Sequence, residues 1–363
     1  MFEVAGIFGT AIVFSKNRDE KAVEQIRVLM DQPFIQGAKV RIMPDYHWGA
    51  GCTIGFTAGL GKVVVPNLVG VDIGCGMNVT RLASSRINLR EFDRIVHEIP
   101  AGFNSWKKPV QSAPFMRELL CFDEIKNSVI DPQVGTLGGG NHFIELDRDE
   151  EKDEVYLVIH SGSRNVGKQV ADYYQKMAER SCKADVPKPL KYLEGEPAKR
   201  YLHDMRLCQQ YASLNRKTMA DYLHRRLGAG FDAFETIHNY VNDSDNIIRK
   251  GAVSAREGER LIIPLNMRDG SLICVGKGNK EWNFSSPHGA GRLYGRNEAF
   301  RRLNLADFRA SMRDIYSTTI DRDTLDEAPM AYKPTEEIVE AIQETVTIRQ
   351  HIKPIYNFKA GRE

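Results

Sequence analysis

The chain has 363 residues, 42% of them apolar and 27% charged, which excludes a disordered protein and is enough to bury a full core as one large domain or two small ones. Its 50 Lys and Arg stand against 48 Asp and Glu, a net charge of +2, which excludes a protein that coats nucleic acid with its whole surface. The opening MFEVAGIFGTAIVF has no cationic start and a short, Gly-broken apolar run, so it reads as neither a signal peptide nor a membrane span.

Along the chain, Phe2 to Phe14 reads as a strand with a Gly break, and Arg18 to Met30 has helical spacing. Val63 to Val65, ahead of Pro66, reads as a short buried strand. The stretch VGVDIGCGMNV that follows is a Gly-rich turn holding Asp72 and Cys75 three residues apart. Glu154 to Ile159 (EVYLVI) is a buried strand that ends at His160 and leads into a helix, where Val166, Val170, Tyr173 and Tyr174 recur at helical spacing. Residues 183 to 197, polar and Pro-containing, read as a surface loop. Lys199 to Leu227 reads as a long basic helix, either touching RNA phosphates or presenting a solvated face. Short strands and Gly turns follow to about Asn283, and the remainder reads as helical apart from an extended tail near Tyr356. No repeat or low-complexity linker divides the chain, and the Gly-rich turns run from Gly49 to Gly295. The expectation is one domain over residues 1–363, of α+β class, with a mixed β-sheet core flanked by helices and one site assembled from Gly-rich loops.

Of the nine histidines, His142, His160, His238 and His288 sit beside glycines or at strand ends. Together with Asp72 and Cys75 they offer imidazole, carboxylate and thiolate, a mixed set that suits Zn, Mn, Fe or Co. A thiolate can bridge two cations, and a carboxylate beside it adds charge for the second. Asp45 and His47, in MPDYHWGAG, precede another Gly turn and are further candidates. His97, His203, His224 and His351 lie on polar helical stretches and read as solvated. Cys52, Cys121, Cys182, Cys208 and Cys274 read as core fillers of a protein from the reducing cytoplasm.

HSGSRNVGK places small hydroxyls and glycines before a helix, where free N–H groups bind anions and Arg164 adds a phosphate fork; a plain Ser161 or Ser163 cap with a solvated Arg164 accounts for the same residues. If HGAGRLYGR is helical from Gly289, then His288, Arg292 and Arg296 share one face, and a neutral imidazole flanked by guanidiniums suits attack on phosphorus. In GGGNHFIEL an extended chain sends Asn141, Phe143 and Glu145 to one face, for a ligand, and His142 to the other, for a metal. An acidic side chain matches the two donors of a guanine edge. There is no GxxxxGK[ST] phosphate loop, no KxDG lysine and no Rossmann fingerprint.

Nine stretches, MPDYHWGAGCTIG, VGVDIGCGMN, GTLGGGNHFIE, IHSGSR, YASLNR, HNYV, RKGAVSA, HGAGR and DEAPMAYK, run in order from about residue 43 to 333. In that order they resemble the RtcB family of RNA-splicing ligases. The resemblance implies an RtcB-like fold and an enzyme that joins an RNA 3′-phosphate or 2′,3′-cyclic phosphate to a 5′-hydroxyl, using GTP and two Mn²⁺ through a guanylylated histidine. Carried over, His288 takes the GMP. Asp72, Cys75 and His142 hold one ion, and Cys75, His160 and His238 the other, with Cys75 bridging. Nucleotide contacts fall on Asn141, His142, Phe143, Ile144, Glu145, His238, Asn239, Pro264, Leu265, Asn266, Met267, Ser271, Gly289, Ala290, Gly291 and Lys359. Arg164, Lys250, Arg292 and Arg296 match basic residues around the phosphates and RNA, and a dense positive field is expected to keep His288 unprotonated. One stretch departs: many members read PGSMG where this chain has Pro264-Leu265-Asn266-Met267-Arg268-Asp269-Gly270, so nucleotide preference rests on an altered turn. A two-metal phosphoesterase acting on RNA ends, and a non-enzymatic RNA-binding protein with a decayed site, are the competing readings.

Overall fold

Two sheets organise the computed structural model, which describes residues 1–228 and 230–361. The first has six strands in the order Phe2–Ala5, Thr10–Val13, Arg41–His47, Ile54–Gly59, Ile247–Lys250 and Asn239–Val241. The expected strand with a Gly break is therefore a hairpin at one edge of this sheet, and the helix Glu20–Met30 covers it with Ala22, Val23, Ile26 and Leu29 buried. Asp19 starts that helix by accepting from the backbone N–H groups of Lys21 and Ala22.

The second sheet has seven strands in the order Gly230–Ile237, Gly76–Leu82, Glu154–Ser161, Phe143–Asp149, Val346–Phe358, Gly270–Gly276 and Arg260–Asn266, each pair antiparallel. Its strand Glu154–Ser161 is buried on both faces. Val155, Leu157 and Ile159 meet Ile144, Leu146, Met219 and Leu223 on one side, while Tyr156 and Val158 meet Met77, Val79, Ile262 and Ile273 on the other. The two-residue period then sends His160 out on the Val158 side, at the end of the strand.

Two expectations are corrected. Residues 183–197 are not simply loop: Leu193–Glu194 pairs with Val63–Val64, and a 33-residue helix begins at Gly195. That helix, Gly195–Leu227, is a core wall on one face and carries its basic side chains on a solvated one. Tyr201, Met205, Tyr211 and Met219 are buried, Arg216 is 0% exposed, and the outer Arg206 and Lys217 pair with Asp243 and Asp221. The extended tail near Tyr356 is a 13-residue strand in the interior of the seven-stranded sheet, and the last third is less helical than its composition suggests. The expected α+β class with a mixed sheet core is the observed one. Among the described residues no helix is long and apolar enough to cross a membrane.

Candidate active site

Four neighbouring strands of the seven-stranded sheet each bring one metal-capable side chain to the same end. His238 follows Gly230–Ile237, Cys75 precedes Gly76–Leu82, His160 is the penultimate residue of Glu154–Ser161, and His142 precedes Phe143–Asp149. Because each pair is antiparallel, a strand start and a strand end alternate along this edge. Cys75 Sγ lies 3.5 Å from His142 Nε2 and 3.3 Å from His160 Nε2, and His160 Nε2 lies 3.4 Å from His238 Nε2. Asp72 Oδ2 is 3.0 Å from His142 Nε2. Gly162 permits this approach, since a Cβ there would sit 2.1 Å from Asp72 Oδ1.

The donor chemistry fits a cation. His142 Nδ1 and His160 Nδ1 lie 3.0 and 3.1 Å from the carbonyls of Leu137 and Asn141. A carbonyl accepts only, so the His160 proton sits on Nδ1 and its Nε2 lone pair turns inward, toward the thiol, while His142 Nε2 stands between the thiol and the Asp72 carboxylate. Burial pushes the His160 and His238 pKa well below the ordinary value, so both stay neutral, the ligating form. Burial and the Asp72 carboxylate push the Cys75 thiol up. Burial alone would raise Asp72 too, but its hydrogen bond to His142 and that imidazole's charge hold it well below the usual carboxylate range. Lone pairs packed this closely need a positive charge between them, and Cys75, His142 and His160 form a group able to hold a metal ion.

In front of this row opens a cavity of about 1150 Å³. His160, Asn141, Phe143, Glu145 and Lys359 line one part of it, and His288 to Gly291 another. His288 Nδ1 lies 2.6 Å from Asp45 Oδ2, which also accepts from the His288 backbone N–H. Asp45 is 0% exposed. Nε2 is the ring nitrogen left over, and the His288 ring centroid is 4.8 Å from that of His238. Gly291 makes the Asp45 contact feasible: its φ is +75°, and a Cβ would meet the Asp45 carbonyl at 2.3 Å.

HGAGRLYGR is not helical at its start, because the helix begins at Arg296. His288, Arg292 and Arg296 therefore do not share a helical face, and the group nearest His288 is a carboxylate rather than a positive field. The arginines instead converge on acids. Arg292 reaches Glu327 at 3.0 Å, and Arg296 reaches Glu327 at 2.7 Å and Asp326 at 2.6 Å. Lys359 Nζ donates to Glu327 at 2.8 Å and to the Asn141 carbonyl at 3.3 Å, and it lies 5.2 Å from the centre of the Phe143 ring. Burial alone would raise Glu327, but these three cations hold it well below the usual range. Glu145 is 2% exposed and accepts from Asn357 Nδ2 at 2.5 Å; burial pushes its carboxyl up to about 7.

Pro264, Leu265, Asn266 and Met267 line the cavity. The altered turn folds on itself, with Asn266 Oδ1 accepting from the backbone N–H groups of Arg268 and Asp269 and Asn266 Nδ2 donating to Asp269. Other expected contacts lie elsewhere. Ile144 points into the core, and Asn239 braces the backbone of Asp72 and Gly251. Ser271 is fully buried, its hydroxyl without a partner among the described residues. Arg164 reaches the Gly102 carbonyl at 3.1 Å and His142 Nδ1 at 3.4 Å, which places HSGSR behind the metal-capable row. Lys250 is buried and donates to the carbonyls of Ala50, Cys52 and Asn67 at 2.6, 3.0 and 2.9 Å. It braces loops and does not line the cavity. His47 lines the cavity, kept neutral by burial with a pKa lowered to about 4, but stands outside the metal row. Cys182 is half-exposed, unlike the four other cysteines read as core fillers. Asp45 behind His288, and Glu327 among the cations, are the site residues that the sequence reading left without these roles. Both lie inside quoted motifs, yet nothing local ties either to its partner.

A family model described as tRNA-splicing ligase RtcB matches residues 25–121 and 121–360. The chain is 31% identical over 374 residues to the RNA-splicing ligase RtcB of Escherichia coli strain K12, an alignment covering 90% of this chain and 91% of that protein. It is 26% identical over 438 residues to the tRNA-splicing ligase RtcB of Nanoarchaeum equitans, covering 93% and 91%. With the tRNA-splicing ligase RtcB of Archaeoglobus fulgidus it shares 27% over 428 residues, covering 89% and 87%.

Proposed function

The chain belongs to the RtcB family and is an RNA ligase of splicing or repair, and we propose that it joins an RNA 3′-phosphate or 2′,3′-cyclic phosphate to a 5′-hydroxyl at the expense of GTP. The observation that carries this reading is the His288 ring, whose Nδ1 is held by a buried carboxylate at 2.6 Å while its Nε2 is left for the cavity beside the metal-capable row.

With its proton on Nδ1, shared with Asp45, His288 presents a lone pair on Nε2. Nε2 bonds to the α-phosphorus of GTP, the bond to the β-phosphate oxygen breaks, and pyrophosphate leaves. An oxygen of the RNA 3′-phosphate then takes the GMP, which frees Nε2. The 5′-hydroxyl attacks the activated 3′-phosphorus, loses its proton and expels GMP, leaving a phosphodiester. A cyclic end is first opened by water to the 3′-phosphate. Glu145 accepts from the N1–H and amino group of guanine, against Phe143, and Glu327 keeps Arg292, Arg296 and Lys359 gathered at the cavity wall. Asp72, Cys75, His142, His160 and His238 would hold two Mn²⁺, and these ions would supply neutralisation of the triphosphate charge. A cytoplasmic setting belongs to the same reading, supported by six free cysteines.

Incubation with α-labelled GTP and Mn²⁺ tests it. The wild type is expected to form an acid-labile protein–GMP adduct that H288A lacks, and then to seal an RNA with 3′-phosphate and 5′-hydroxyl ends. Hydrolysis of the 3′-phosphate with neither adduct nor joining would favour the phosphoesterase.

A further inference from the structure

Trp48 is 58% exposed, although it stands one residue past the strand Arg41–His47 that carries the buried Asp45 to His288. The other two tryptophans are covered: Trp282 is 3% exposed and stacks on Phe14, and Trp106 is half-buried and donates to the Gly135 carbonyl. Tryptophan is enriched at binding interfaces, where its apolar ring meets a partner and its N–H stays in reach of water.

Nor is Trp48 on a slack loop. Gln25 clamps Gly49 from both sides, donating to its carbonyl at 2.7 Å and accepting from its N–H at 3.1 Å. Lys250 ties down Ala50 and Cys52, and Thr53 Oγ1 donates to the His47 carbonyl at 2.8 Å. The backbone on both sides of Trp48 is fixed while its ring is left bare.

The ring lines the same cavity as His288. Exposed Arg18 and Lys21 line this cavity too, Lys21 one helical turn before the Gln25 that holds Gly49, as does Leu293, which is 51% exposed. Asp19, beside Arg18, is occupied as a helix cap, and exposed Glu20, beside Lys21, lines the same cavity. A flat aromatic face with cations nearby, on the wall of a cavity where a phosphorus-attacking histidine sits, matches single-stranded nucleic acid: bases stack on the ring and the cations meet the phosphates. We propose that Trp48 is a stacking platform for a base at the 3′-phosphate end of the RNA, with Arg18 and Lys21 meeting its backbone phosphates. One strand carries both Asp45 and Trp48 into place, so the RNA whose phosphate must reach the GMP on His288 is the one whose bases reach Trp48. This inference rests on the ligase reading above.

The probe is a single-stranded RNA decamer ending in a 3′-phosphate, titrated into the protein while tryptophan emission is followed. Stacking on an exposed indole quenches it, so the wild type should show saturable quenching that W48A lacks. In ligation, W48A should raise the KM for that RNA about tenfold with little change in kcat, and W48F should recover most of the loss. Thermal melting of W48A reports whether the protein is folded. Equal quenching in wild type and W48A, quenching only by a strand bearing the 5′-hydroxyl, or an unchanged KM for RNA in a ligating W48A would each overturn the assignment. If the wild type forms no GMP adduct, it is the ligase reading that fails, and the quenching titration still decides the role of Trp48.

Discussion

At the scale of single residues, the most consequential contact is Asp45 with His288. The two sit 243 positions apart and meet at 2.6 Å, with the carboxylate fully buried. Asp45→Asn keeps the volume but offers Nδ1 an ambiguous partner, so the ring loses its enforced tautomer. By analogy with the carboxylate of a hydrolase triad, the rate of GMP adduct formation should fall by on the order of a thousandfold while metal content stays normal. A near wild-type rate would remove Asp45 from the positioning role. Glu145 yields a pH prediction. Burial pushes its carboxyl up to about 7, against the pull of Asn357 and Lys359. The unprotonated form can accept from both guanine donors, and it is lost as pH falls through that value. The KM for GTP should therefore rise as pH drops from 8 to 6, and Glu145→Gln should raise KM at pH 8 and flatten the profile. A pH-independent KM in the wild type would argue that Glu145 does not read the base.

At the scale of elements, Lys250 shows how the loops are held. Three carbonyls from two loops surround one ammonium, even though burial lowers its pKa to about 8. Lys250→Met would leave those carbonyls without their donor and should cost about 3 kcal/mol of stability, read as a lower denaturation midpoint. An unchanged midpoint would mean that water replaces the ammonium at no cost. Elements with a clear pattern were legible from sequence: the unbroken apolar run EVYLVI follows from a strand buried on both faces, and the helical spacing of Glu20–Met30 from one buried face. HGAGRLYGR was misread because the spacing of His288, Arg292 and Arg296 fits a helix, whereas Gly291 is needed at positive φ to wrap the Asp45 carbonyl. For the helix Gly195–Leu227 the conspicuous charges mark the solvated face, while buried tyrosines, methionines and Arg216, which set its position, are not singled out by sequence. Ligand types in the metal row were legible as Asp, Cys and His beside glycines. The partners Asp45 and Glu327 were not, since tertiary packing alone brings them to the cavity.

At the scale of the whole molecule, residues from Asp45 to Lys359 converge on one cavity wall and one ligand row, and Val346–Phe358 is an interior strand of the sheet that presents them. We infer that residues 1–363 unfold as one unit, and that removing residues from 346 onward abolishes folding rather than trimming a tail. The metal row adds a linkage. A cation there would pin the ends of four adjacent strands, where Cys75 Sγ lies 3.5 and 3.3 Å from His142 and His160 Nε2, and His160 Nε2 lies 3.4 Å from His238 Nε2. A cation that binds the folded chain more tightly than the unfolded one stabilises it by about 3 kcal/mol at a hundredfold excess over its Kd. Chelation should therefore lower the melting temperature in a single transition, and added Mn²⁺ should raise it again with concentration. Cys75→Ala removes the thiolate shared by both proposed ions, so its melting temperature should respond weakly to Mn²⁺ and its metal content should fall toward zero. A Cys75→Ala variant that retains two equivalents of metal and a wild-type melting response would show that the thiol is a neighbour of the ions and not their bridge.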